Sequence, residues 1–121
     1  MGVRDITSDH QRIEERSIAL HRAVVERIRR DPKLMEIARA NLYRLEQRFL
    51  KQGERPPSWL SEWKAILQNM SLDELEAFLL STGEEARRLR QSSPFSGVLT
   101  PRERWEIYEA FSPRAYYQGR Q

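Results

Sequence analysis

The sequence predicts an all-α protein: a helical bundle with a long N-terminal helical hairpin followed by three or four shorter helices. Three observations carry this. Apolar residues recur every three or four positions through most of the chain, Pro and Gly fall between those stretches, and no β-branched run alternates long enough for a strand. The 121 residues leave room for one domain with one modest core. We therefore expect a single helical domain over residues 1–121, with residues 1–8 a flexible lead and 112–121 a flexible tail.

The helical period takes over at Asp9, where Ile13, Leu20, Val24 and Ile28 share one face, with Ile18 and Val25 widening it. Glu14, Glu15, Arg16, Arg22, Glu26, Arg27 and Arg29 make the solvated side. Asp31-Pro32 marks a boundary, because Pro32 disfavours helical geometry before it and Asp31 can cap the next helix. That second helix spans residues 32–51 on Leu34, Ala38, Leu42, Leu45 and Phe49, with Ile37 alongside. Asn41 either fixes register as a buried polar group or points sideways into solvent, the commoner arrangement for its type. Two long helices with so short a break usually pack as an antiparallel hairpin.

Gly53 ends the second helix, and Glu54-Arg55-Pro56-Pro57 makes a stiff turn. Ser58 is the expected cap of a third helix to about Asn69, where Trp59, Trp63, Ile66 and Met70 share a face as a core anchor rather than a base-stacking platform. Ser71 with Glu74 forms a capping box opening a fourth helix on Leu72, Leu75, Phe78 and Leu79. Thr82 with Glu85 is the expected box of a short fifth helix through Ala86 and Leu89. Thr100, Pro101 and Glu103 supply cap, first helical position and box partner of a sixth, which carries Trp105, Ile107, Tyr108 and Phe111 until Ser112-Pro113 stops it.

Composition narrows the function classes. Without cysteine there is no disulfide, thiol catalysis or Cys-based zinc site. No apolar run approaches a membrane span, the N-terminus lacks a secretory apolar core, and a cytoplasmic location is expected. Net charge is +3, with 3 Lys among the 21 basic residues and the rest Arg. Arginine makes bidentate contacts and stacks on aromatic rings, which suits interfaces, although a genome-wide composition bias produces the same excess. Acidic residues are interspersed, so no long one-signed stripe tracks a nucleic-acid backbone.

Catalytic patterns are missing. His10 and His21 are about three turns apart, too far to share one metal ion, and are expected to face solvent, with His21 available to an interface. The pairs Glu14-Glu15, Asp73-Glu74 and Glu84-Glu85 diverge on a helix, and the last two suit helix dipoles. There is no nucleophile elbow and no phosphate-cradling loop. We expect no enzyme activity, metal or cofactor.

The richest local chemistry lies in residues 87–111. An apolar loop, Ser92-Ser93-Pro94-Phe95-Ser96-Gly97-Val98-Leu99, separates two arginine-rich helical segments. The loop either folds back over the core, the default for one small domain, or docks into another chain. An apolar centre rimmed by Arg is the usual composition of a binding hot spot. On that basis the candidate partner-binding residues are Arg88, Phe95, Val98, Leu99, Arg102, Arg104, Trp105 and Tyr108. The tail residues Tyr116, Tyr117 and Arg120 repeat the chemistry and can order on a partner or stay disordered. Residues 81–93 have the flavour of the first half of a helix-turn-helix, but Pro94, Gly97 and Pro101 leave no room for a recognition helix before Thr100, and Glu103 and Glu106 would repel phosphates. Nucleic-acid binding by a transcriptional regulator is the alternative, and a homo-oligomeric helical scaffold a further one.

Residues 15–42, ERSIALHRAVVERIRRDPKLMEIARANL, and 84–108, EEARRLRQSSPFSGVLTPRERWEIY, resemble a family of small helical bacterial proteins. The resemblance covers most of residues 13–111. Its members resemble antitoxin partners of nucleotidyltransferase-like toxins in type II toxin–antitoxin pairs. It implies a stoichiometric binding protein that covers the toxin's acidic, metal-binding cleft, with Arg88, Arg102 and Arg104 meeting acidic groups while Phe95, Trp105 and Tyr108 supply buried area. Some relatives carry a further N-terminal DNA-binding domain; the short lead here has no room for one, so autonomous operator binding is not expected.

Overall fold

A computed structural model describes residues 6–118, with side chains from Asp9 onward. It is all-helical: α1 (Ile6–Arg30), a 3-10 turn (Pro32–Leu34), α2 (Met35–Lys51), α3 (Ser58–Asn69), α4 (Leu72–Leu79), α5 (Glu84–Arg90), α6 (Pro101–Ala110) and α7 (Pro113–Gln118). Among the described residues there is no strand. α1 begins at Ile6, earlier than the expected Asp9; of the expected lead, residues 1–5 lie outside the described residues.

The break between the long helices works as the sequence indicates. Asp31 Oδ1 accepts a hydrogen bond from the Lys33 N–H at 3.2 Å, and Pro32 opens the 3-10 turn. Both long helices feed one core, in which Val24, Val25 and Ile28 of α1 join Ala38 and Leu42 of α2. Away from the turn, however, their main neighbours are the short helices: α1 packs along α4 and α6, and α2 along α3. Arg29 ties the end of α1 to α4 through Asp73 (2.6 Å) and Glu76 (3.2 Å).

Trp63 is the centre of the core, with none of its surface exposed. Phe78 and Phe95 stand edge-on to it at 6.3 and 5.8 Å between ring centroids. Its indole N–H is shared between the Leu89 carbonyl and Ser92 Oγ, each at 3.2 Å, so the ring is buried without orphaning its donor. Trp59 packs half-buried against the same cluster.

Helix ends follow local chemistry with two departures. At α2, Gly53 takes φ +71°, the Glu54 N–H bonds the Phe49 carbonyl (2.9 Å) and the Gly53 N–H the Leu50 carbonyl (3.1 Å), a Schellman ending. Both halves of the capping boxes Ser71/Glu74 and Thr100/Glu103 are present. Ser58 is not a cap: extended Pro57 takes that position, its carbonyl accepting from Leu60 N–H at 3.1 Å, and Ser58 is already helical. Thr82 and Glu85 form no box either. Gly83 is the cap residue of α5, Ser81 Oγ accepts its N–H at 3.0 Å, and Glu85 is drawn to Arg88 at 2.8 Å.

The expected flexible tail is instead a helix through Gln118. Pro113 starts α7 rather than merely stopping α6, since proline suits a first helical position. Tyr116 is buried, and Tyr117 Oη donates to Asp9 Oδ1 at 2.8 Å. Arg12 Nη1 donates to the Phe111 carbonyl at 3.0 Å, so α7 and the end of α6 clamp the start of α1. Residues 119–121, including Arg120, lie outside the described residues.

Candidate partner-binding groove

The loop between α5 and α6 folds inward. Pro94 is fully buried, and Phe95 and Val98 join the core at 4% and 2% exposure. These two residues therefore cannot form the centre of a partner-binding surface, as the sequence suggested; they are apolar because they fill this chain's own interior beside Trp63. The loop is stitched down by Asn41, whose amide N donates to the carbonyls of Pro94 and Ser96, both at 2.8 Å. Asn41 thus neither fixes helix register nor faces idle solvent. The Val98 N–H bonds the Phe95 carbonyl at 3.1 Å across a turn in which Gly97 has φ +97°, a position that requires glycine.

His21 is a second correction. It is buried, not solvated, because α1 turns this ring under the loop. Its Nδ1 lies 2.7 Å from the Ser17 carbonyl and its Nε2 2.8 Å from Ser93 Oγ. A carbonyl only accepts, so Nδ1 carries the proton and Nε2 accepts from the serine hydroxyl. Burial holds the imidazole pKa below its ordinary value; the Ser17 bond opposes this and the Arg90 charge adds to it. Neutral His21 is a strut between α1 and the loop.

Arg90 is likewise buried. Its Nη1 donates to the carbonyls of Leu79 (2.9 Å) and Ser81 (2.7 Å), closing the C-terminal end of α4 with a positive charge. Glu14 of α1 lies 3.6 Å from Arg90 Nη2 and accepts from Arg87 Nε at 2.9 Å. No periodicity argument announces a buried Arg or His. The signal that was available for His21 is that Val24, Val25 and Ile28 follow it on the same face of α1; Arg90 has no such signal, since Arg87 shares its face of α5.

Between residues 10–24 of α1 and the α5–α6 region lies an open groove of about 690 Å³. Ile13 and Leu20 of α1, Leu99 of the loop, and Arg104 and Tyr108 of α6 are among the residues lining it. α6 packs along α1, with half-buried Glu103 3.7 Å from Arg27 and Ile107 half-buried one turn on, and Arg104 and Tyr108 line the groove. Trp105, one helical turn from Tyr108, points outward and is 62% exposed; Tyr108 is 42% exposed. The Arg16 guanidinium sits over the Tyr108 ring at 4.5 Å.

The expected site residues therefore divide. Leu99, Arg104 and Tyr108 meet at the groove, and Trp105 flanks them. Arg88 is elsewhere, engaged by Glu62 and Glu85 at 2.8 Å each. Arg102 is on the far flank of α6, 3.3 Å from Glu106. Sequence reasoning missed Ile13 and Leu20, because it assigned the whole α1 stripe to the core, and Arg16, because it assigned that residue to the solvated side. Among the described residues no cluster could hold a metal ion, and no helix is long and apolar enough to cross a membrane. No family model matches the chain, and no curated protein or solved structure does.

Proposed function

We propose that this chain is an antitoxin-like binding protein that acts in the cytoplasm and neutralises a partner enzyme, of the nucleotidyltransferase-like toxin type, by covering its active site. One observation carries the reading: Tyr108 stands exposed on the flank of an open groove, with Trp105 exposed one turn away on α6, beside Arg16 and Arg104, which meet no carboxylate among the described residues. Large aromatic side chains next to Arg are what interface hot spots are made of. The family resemblance of residues 15–42 and 84–108 supplies the class of partner.

The test is coexpression with the product of its neighbouring gene, then copurification and an assay of that product for nucleotide transfer. The wild-type chain is expected to form a stable complex and abolish transfer. A Trp105→Ala/Tyr108→Ala double variant, with helicity verified by circular dichroism, is expected to bind at least about 30-fold more weakly. Full affinity in the folded double variant would overturn the proposal, as would a purified chain that neither binds nor inhibits the enzyme.

A further inference from the structure

The groove has a charge pattern of its own. Arg16, Arg87, Arg90 and Arg104 line it, against one carboxylate among the described residues, that of Glu14. Arg87 and Arg90 are served by that carboxylate. Arg16 has the Tyr108 ring, and neither it nor Arg104 meets a carboxylate among the described residues. Two guanidinium groups thus border an apolar trough formed by Ile13, Leu20 and Leu99, with no anion among the described residues to answer them.

Resting on the protein-binding reading above, we infer that the groove is a carboxylate slot: an Asp or Glu on an amphipathic segment of the partner polypeptide enters between Arg16 and Arg104, its apolar flank lying on Ile13, Leu20 and Leu99. Glu14 shows the chemistry at work, since a carboxylate in this groove already collects two guanidinium groups. An inserted acid would find a fork donor on either side and lose little on leaving water, while the Ile and Leu side chains reward an apolar neighbour. A nucleic-acid backbone fits less well. Its phosphates recur along a line, whereas the free arginines border one short trough and Glu106 and Glu109 come next on α6.

The full chain, isotope-labelled for NMR, is titrated with a short synthetic amphipathic helix bearing Leu on one face flanked by Glu, and with the same peptide carrying Gln for Glu. The Glu peptide is expected to shift the resonances of Arg16, Leu20, Leu99 and Arg104, and the Gln peptide to bind about tenfold more weakly. Arg104→Glu is expected to reproduce that loss, and Arg55→Glu, in the exposed turn before α3, to leave binding unchanged. Equal affinity for the two peptides, shifts mapping elsewhere, or no binding at millimolar peptide would overturn the slot. So would single-stranded DNA occupying the same residues with a steep salt dependence, or a self-dimer in light scattering that Arg104→Glu dissolves. The two proposals fail separately: an enzyme captured equally well by Arg104→Glu sinks the slot alone, and a groove that takes the Glu peptide while the chain ignores the enzyme sinks the antitoxin reading alone.

Discussion

The two halves of α1 carry the same apolar period and meet different fates. In the second half, Val24, Val25 and Ile28 are buried against α2 and the short helices. Nearer the start, Ile13 is 42% exposed and Leu20 only half-buried, and both line the groove. A hydrophobic stripe says which face of a helix is apolar; what covers it is decided by where other elements land. Here α4 is tied to the end of α1 through Arg29, α7 clamps its start through Tyr117 and Asp9, and α6 lies along α1 with Tyr108 over Arg16. The apolar face between Ile13 and Leu20 is left open to the groove.

The sharpest way to break this contrast is to truncate the covered half. Ile28→Ala removes a side chain at 2% exposure from the main core and is expected to cost about 2–5 kcal/mol in urea unfolding, with an unchanged slope against denaturant. A cost below about 1 kcal/mol would mean that the core is loosely packed at the α1–α4 contact, and the difference between the halves would lose its meaning.

Next in size is the strut that separates the groove from the core. Ser93→Ala leaves the buried His21 Nε2 without its donor and is expected to cost about 1–3 kcal/mol. The same strut has a pH signature. Because the folded pKa of His21 is lowered, the unfolded chain takes up a proton that the native state resists. This contribution is complete above the ordinary histidine pKa, near 6.5, and declines as pH falls below it. A flat wild-type stability between pH 7 and about 5.5, or an equal decline in His21→Asn, would show that the imidazole is not buried as a neutral group.

Sequence legibility divides along the same line. Helix order, the Asp31-Pro32 break, the Gly53 ending and two capping boxes were readable because each is set by residues within one turn of each other. Trp63 was readable as core because a large aromatic on an apolar face has few other uses. What escaped depends on distant partners. Fold-back of the loop was the default reading and holds, but Phe95 and Val98 were still placed among the partner-binding residues because the sequence does not show Asn41 and Trp63 waiting for them. His21 looked solvated because Ser93 is 72 positions away. The tail looked unpatterned because six residues are too few to show a period, and Tyr116 finds its cover only through tertiary contact.

The smallest expected effect is the most discriminating. Ile13→Ala shortens an apolar residue that belongs by sequence to the same stripe as Ile28, so the pattern alone would assign the two a similar cost. With 42% of its surface exposed and a groove beside it, Ile13 has little packing to lose, and the change is expected to stay within about 0.5 kcal/mol of wild type. Binding of the Glu-bearing helix should nonetheless weaken, because the trough loses part of its apolar wall. A stability loss comparable to that of Ile28→Ala would mean that Ile13 is covered in solution, which closes the groove and removes the physical ground for a partner seated there.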